Sequence, residues 1–263
     1  MSAVFLGPVA LACVWFGGAA FHAMIAAVTF GLAVEWVVMC GQRPATLPGI
    51  GLPAGCVAAA VAAAAGQLVF AVALVAAMAG VIFVAAARTP HRIGLTFGVP
   101  YFGLAAVALI WLRDDSSAGR TNLLVLLALI WASDVGAYLA GRTFGGPRLA
   151  PSISPGKTWS GAIGGLLSAA AVGLIAVVLS EHQGPYPHPQ VLRAVIIAAG
   201  FGITAQLGDL MESRIKRHFG VKDSGWLIPG HGGLLDRVDA LLLAAPVAAA
   251  VALLVGRGVV LWQ

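Results

Sequence analysis

Apolar runs of roughly 17–25 residues, long enough to cross a bilayer, recur along the chain from residue 4 to residue 260. Residues 4–40 are apolar for longer than one crossing needs, and the Gly17-Gly18 pair predicts a break, so the segment reads as two helices. Residues 52–86 likewise read as two, divided near Gly66-Gln67. Single crossings follow at 95–112, 121–140, 160–180, 191–208 and 237–260, nine in all. Pro246 falls inside the last one and predicts a kink, which a membrane helix tolerates where neighbours re-satisfy the backbone. The expected fold is all-α, a polytopic helical integral membrane protein of about nine transmembrane helices.

Composition agrees with the pattern. Of 263 residues 60% are hydrophobic and 10% charged, against about 25% charged in a soluble domain. Cys13, Cys40 and Cys56 lie in apolar surroundings without C-x-x-C spacing and read as small packing residues. The opening MSAVFLGPVA lacks the basic n-region of a signal peptide, so the first helix is expected to be retained. Loops 41–51, 87–94, 141–159 and 209–236, with Arg237, hold eleven of the fifteen Lys and Arg residues. The positive-inside rule places these loops and the N-terminus in the cytoplasm. The net charge of +5 is then a consequence of topology, and no nucleic-acid partner is expected.

The acids are distributed less evenly. Six of ten, Asp134, Asp209, Glu212, Asp223, Asp236 and Asp239, fall in or beside helices bordering the two longest cytoplasmic loops. The first half offers Glu35, alone in an apolar helix, and Asp114-Asp115 in an outer loop. Residues 1–118 therefore read as N-terminal transmembrane scaffold helices. Residues 119–263 read as the catalytic transmembrane region with its cytoplasmic substrate-binding loops.

In "LGDLMESRIKRHFG", a helix would put Asp209, Glu212 or Ser213, and Lys216 on one face. Charges at membrane depth are read as functional, although a Glu212–Lys216 salt bridge explains Glu212 equally well. The next stretch, "HFGVKDSGWLIPGHGGLL", has five glycines and a proline in eighteen residues, so it cannot be a stable helix. With Lys216, Arg217, Lys222 and Arg237 around it, the loop suits phosphates. Asp236 and Asp239, three apart at the start of the last helix, are either favourable N-terminal acids or, with Asp209, part of a hard-cation site. His231 has no Cys ligand nearby and belongs to no H-E-x-x-H pattern, so it reads as a hydrogen-bonding or phosphate-contacting group rather than a zinc ligand.

A third element is "WASDVGAYLAGRTFGGPRLAPSISPGKTWSGAIGG". Asp134 lies inside an apolar helix, which implies a polar cavity or a partner within the bundle. The following loop supplies Arg142, Arg148, Ser152, Ser154, Lys157 and Thr158, a second anion-binding inventory. Gly161 and Gly165 form a G-x-x-x-G that helix packing explains.

Across "SRIKRHFGVKDSGWLIPGHGGLLDRVD", Ser213 to Asp239, and across "WASDVGAYLAGRTFG", "SPGKTW" and "LGDL", the sequence resembles the phosphatidate cytidylyltransferases, or CDP-diacylglycerol synthases. The resemblance is strong over residues 130–240 and departs nowhere from the 27-residue signature. It implies the reaction CTP + phosphatidic acid → CDP-diacylglycerol + pyrophosphate with Mg²⁺. It further implies metal ligation by Asp209 and Asp236, with a monovalent cation such as K⁺ able to join. Lys216, Arg217, Lys222 and Arg237 are then expected on phosphates. Lys216 and Asp239 are expected beside Asp209 and Asp236 in catalysis. Asp134, Ser154, Lys157, Ser213, Asp223, His231, Gly232 and Gly233 are expected to line the substrates.

Independently of the resemblance, a phosphomonoester with a second pKa near 6 is a ready nucleophile at neutral pH and needs no general base. The chemical difficulty is bringing two polyanions together, which metal and Lys/Arg clamps address. A lipid substrate explains why polar groups gather at the foot of a membrane helix. The expected location is the bacterial inner membrane, among membrane lipids, with the site on its cytoplasmic face; whether the chain pairs as a homodimer stays open. Two rival readings make different demands on the sequence. A CDP-alcohol phosphatidyltransferase would need a D-G-x-x-A-R-x₈-G-x₃-D-x₃-D run, which is absent. A transporter using the intramembrane acids predicts a charge pathway towards the midplane or related halves, whereas the acids gather at one face beside phosphate-type loops.

Overall fold

The computed structural model describes residues 2–115, 118–180, 188–225, 227 and 232–255. The helices are α1 (Ser2–Phe16), α2 (Gly18–Met39), α3 (Leu47–Ala64), α4 (Leu68–Ala85), α5 (Arg92–Arg113), α6 (Gly119–Phe144), α7 (Trp159–Ser180), α8 (His188–His218) and α9 (Leu235–Val255). Among the described residues eight helices, α2 to α9, are long and apolar enough to cross a membrane, and the chain is an integral membrane protein. Helix α1, at 15 residues, is about 22 Å long and shorter than the roughly 30 Å hydrocarbon layer. Its break from α2 falls where the sequence predicts it, at Gly17, whose φ of 68° an L-residue with a side chain rarely adopts. The break between α3 and α4 likewise falls at Gly66, φ 77°.

Two expectations change. Helix α8 does not end at residue 208 but continues to His218. At 31 residues it extends about 46 Å, well beyond a hydrocarbon core. Hydropathy alone ends a helix where charges begin, yet Asp, Glu, Lys and Arg are all compatible with helix once outside lipid. The loop 141–159 contains a two-stranded antiparallel hairpin, β1 (Arg148–Ala150) and β2 (Ser154–Thr158), with a register irregularity between Arg148 and Ala150.

The chain forms two compact units, each assembled from two stretches of sequence. The first comprises Met1–Asp114 and Lys216–Val238. Its centre is Trp36, 1% exposed, whose Nε1 donates to the Gly94 carbonyl at 2.9 Å. Phe97, Tyr101, Phe102 and Phe219 surround its ring. A Cβ on Gly98 would meet the indole at 2.5 Å, so the helix pair closes only around glycine. The three cysteines are unbridged, as the sequence suggests. Cys40, just past the end of α2, is fully buried, and burial pushes its thiol up to about 12, which keeps it protonated.

The second unit comprises Asp115–Ile215 and Asp239–Gln263. Here α6 and α7 meet through small residues. A Cβ on Gly161 would lie 2.8 Å from the Ala137 carbonyl, and one on Gly165 2.8 Å from that of Ser133. The predicted G-x-x-x-G is thus a packing seam. The hairpin is tied to this seam, because Thr158 Oγ1 accepts the Gly161 N–H at 3.1 Å and Trp159 N–H donates to the Pro147 carbonyl at 3.1 Å.

Gly164 and Gly80 provide a matched test of the seam. A methyl on Gly164 would collide with Ala140 Cβ and with the Gly136 backbone, whereas one on Gly80 meets nothing within 4 Å. Gly164→Ala should lower stability in detergent by about 1–3 kcal/mol, and Gly80→Ala should not lower it. Thermal unfolding of the two variants side by side measures the difference.

Candidate active site

In the second unit, a cavity of about 560 Å³ is lined by Asp134, Tyr138, Arg142, Arg148, Lys157 and Asp209 among others. Each comes from a different structural requirement. Asp134, Tyr138 and Arg142 lie on successive turns of α6, and Arg142 Nη1 donates to Tyr138 Oη at 2.7 Å. Arg148 and Lys157 are carried by the hairpin, where Arg148 donates to the Gly156 carbonyl at 3.4 Å. Asp209 projects from α8 and forms an ion pair with Lys157. Ser213, one turn on, donates its hydroxyl to Asp209 Oδ1 at 3.4 Å. The cavity is therefore a cationic pocket with an acidic wall. Ser154 begins β2 and is half-buried.

Three carboxylates converge in the same unit. Ligand oxygens of Asp209, Glu212 and Asp239 all lie within 4.8 Å of one another. The approach depends on Gly208, where a Cβ would meet the Asp239 carbonyl oxygen at 2.9 Å and Ala240 Cα at 3.1 Å. Without a side chain there, the start of α9 can lie against α8 beside Asp209. Glu212 is 1% exposed. Three crowded carboxylates repel one another, and an all-oxygen donor set of this kind suits a hard divalent cation such as Mg²⁺. The residues present therefore fit a metal.

The first unit holds the remaining predicted residues. Lys216 Nζ contacts Asp236 Oδ1 at 2.6 Å, with both side chains mostly buried. The second oxygen, Oδ2, accepts the Ser224 N–H at 3.1 Å, the Ser224 hydroxyl at 3.0 Å and the Gly233 N–H at 3.0 Å. Asp236 thus gathers the Gly-rich stretch around itself. Gly232 takes a φ of 83°, and a Cβ on Gly233 would collide with Ser224 Oγ. Lys222, Asp223 and Arg237 are exposed, and Arg217 Nη1 donates to the Val221 carbonyl at 3.4 Å. His231 lies outside the described residues.

The structure thus brings Asp209 and Asp239 together and pairs Asp236 with Lys216. Asp209 and Asp236, the metal pair implied by the resemblance, fall in different units. Sequence reasoning left out Glu212, because an i,i+4 pair with Lys216 explained it equally well. It also assigned Glu35 to scaffold. Glu35 is 4% exposed and accepts the N–H groups of Leu227, Leu234 and Leu235 at 3.3, 2.9 and 3.1 Å. The available signal was its isolation, a single carboxylate in an otherwise apolar helix.

A sequence model of the Cytidylyltransferase family matches residues 1–255. A Brucella suis protein named phosphatidate cytidylyltransferase is 49% identical over 148 residues, 56% of this chain and 53% of that protein. A Rickettsia bellii protein of the same name is 46% identical over 135 residues, covering 50% and 58%. One from Bacillus subtilis is 39% identical over 152 residues, covering 58% and 55%. The chain spans about half the length of the curated relatives it matches.

The carboxylate cluster predicts divalent-ion binding that can be followed by Mn²⁺ electron paramagnetic resonance in detergent. Glu212→Gln and Asp239→Asn should each weaken it by about tenfold or more, since even losses outside the ligand set cost 10–100-fold at metal sites. Asp114→Asn, which removes a partner of His22 in the first unit, should leave it unchanged.

Proposed function

We propose that this chain, which belongs to the cytidylyltransferase family, transfers CMP from CTP to phosphatidic acid and releases pyrophosphate. The observation that carries the reading is the cationic cavity edged by Asp209 and accompanied by Glu212 and Asp239, in a family member whose curated relatives are named phosphatidate cytidylyltransferase. In the reaction a phosphate oxygen of phosphatidic acid bonds to the α-phosphorus of CTP. The bond from that phosphorus to the β-phosphoryl oxygen breaks, and pyrophosphate leaves with the electron pair. The attacking oxygen is largely deprotonated near neutral pH, given a second pKa near 6, so no base has to act. The product is CDP-diacylglycerol.

Most of the barrier is then electrostatic. Arg142, Arg148 and Lys157 surround the cavity and offer planar and point-charge partners to phosphoryl oxygens. Asp134 and Ser154 are assigned to substrate contact, as are Ser213, Arg217, Lys222, Asp223, His231, Gly232, Gly233 and Arg237. A Mg²⁺ ion held by Asp209, Glu212 and Asp239 would neutralise triphosphate charge and stabilise the departing pyrophosphate. The part of Asp236 in metal binding, and that of K⁺ as a second cation, rest on the sequence resemblance; in its own unit Asp236 orients Lys216. The Lys/Arg distribution supports a site at the cytoplasmic face of the bacterial inner membrane, where a lipid phosphate and soluble CTP both have access. No nucleic-acid partner enters the reading. The transporter alternative is not favoured.

The test uses purified protein in detergent with phosphatidic acid, labelled CTP and Mg²⁺, following both products. One-for-one formation of CDP-diacylglycerol and pyrophosphate, abolished by chelation, is expected; a folded protein giving neither would end the proposal. Asp209→Asn and Asp236→Asn should each lower turnover by about two orders of magnitude or more, within the range lost on removal of key electrostatic groups, without unfolding the protein. Near-normal turnover of Asp236→Asn at low Mg²⁺ would remove Asp236 from the metal site.

A further inference from the structure

Glu35 spends both of its carboxylate oxygens. Oε1 accepts the N–H groups of Leu227 at 3.3 Å and Leu234 at 2.9 Å. Oε2 accepts the N–H of Leu235 at 3.1 Å and, at 3.5 Å, the longer arm of a Ser224 O–H that is shared with Asp236 Oδ2 at 3.0 Å. Three backbone N–H donors converge on this one buried side chain, an all-acceptor arrangement that a carboxylate supplies and the amide of a glutamine does not. Leu234 and Leu235 stand at the start of α9, where the first N–H groups lack intrahelical acceptors and the helix dipole favours an anion. Glu35 therefore caps α9 from another helix. Ser224 and Leu227 lie on the stretch that precedes it, so one carboxylate ties two separated segments of the Gly-rich region to α2. The close approach needs glycine. A Cβ on Gly225 would collide with Glu35 Cδ at 2.6 Å, and one on Gly31 would meet Leu234 at 2.9 Å.

The network continues beyond Glu35. Ser224 contributes its N–H and its hydroxyl to Asp236 Oδ2, and Asp236 Oδ1 holds Lys216 Nζ. We propose that Glu35 is a positioning residue for the transfer reaction. Through Ser224 and the capped start of α9 it fixes Asp236 and Lys216 in their working arrangement. The inference rests on the cytidylyltransferase reading above.

The test compares wild type, Glu35→Gln, Glu35→Asp, Ser224→Ala and the Glu35→Gln/Ser224→Ala double variant, purified in detergent and assayed with CTP, phosphatidic acid and Mg²⁺. Glutamine keeps the shape but turns an NH₂ donor towards backbone N–H groups. In Glu35→Gln, kcat should fall about tenfold or more while KM for both substrates stays within about threefold, the pattern of a loss confined to the transition state. Glu35→Asp, which keeps the charge, should recover part of the rate. The double variant should lose less than the product of the single losses, because both act on one network. Wild-type kcat in Glu35→Gln overturns the proposal. If Glu35→Gln does not fold, Glu35→Asp and Ser224→Ala decide it, and wild-type kcat in both overturns it. A folded wild type that makes no CDP-diacylglycerol overturns the functional reading instead. Hydrogen exchange at Leu234 and Leu235 still reads the cap in that case, and unchanged protection in Glu35→Gln removes it.

Discussion

A carboxylate placed among apolar helices must find donors or cations, because an uncompensated buried charge is far too costly to keep. That constraint organises both units of this protein. Glu35 meets it with backbone N–H groups and a serine hydroxyl. Asp236 meets it with a lysine and two further N–H groups, and Asp209 with Lys157 and Ser213. Each acid is consequently a fixed point for the backbone groups and side chains that meet it. On the proposed reading the same electrostatics that hold the chain also serve phosphates and a metal. Structure and chemistry draw on one set of charges.

Glycine is the complement of this arrangement. Charged groups converge only if backbones come close, and in lipid close approach is governed by side-chain size rather than by hydrophobic burial. Gly208 lets the start of α9 reach Asp209, Gly161 and Gly165 close α6 on α7, and Gly225 admits Glu35 to the loop. Gly208 and Gly225 stand one and two positions from an aspartate, and Gly161 four from Lys157. The pocket-lining hairpin sits at the end of the α6–α7 seam for the same reason, through the bonds from Thr158 to Gly161 and Trp159 to Pro147.

Much of this was legible from residue order. Apolar run length gave the spans, and paired or flexible residues at Gly17-Gly18 and Gly66-Gln67 gave the breaks, because both signals are local. Hydropathy ends the span near residue 208 because it registers lipid contact and not helicity, whereas the one-face spacing of Asp209, Glu212 and Lys216 already allowed the helix that runs on to His218. The hairpin was missed because its strands, of three and five residues, are too short and polar to alternate. Asp134, Lys157 and Asp209 were read as site residues from their chemistry, and the cavity collects them. Glu212 had a local explanation that competed with the functional one. Glu35 had partners 189 to 200 residues away, a separation that no periodicity encodes.

That separation has a consequence in time. Ribosomes add about 5–20 residues per second, so the partners of Glu35, 189 to 200 residues further along, leave the ribosome some 10–40 seconds after it. Throughout that interval the end of α2 carries an acid whose acceptor oxygens have no loop to hold. Until they arrive the first unit lacks its second stretch, Lys216–Val238, and is incomplete. Insertion of the early helices and completion of their packing are thus separate events, and the late arrival of residues 224–235 is what ends the wait.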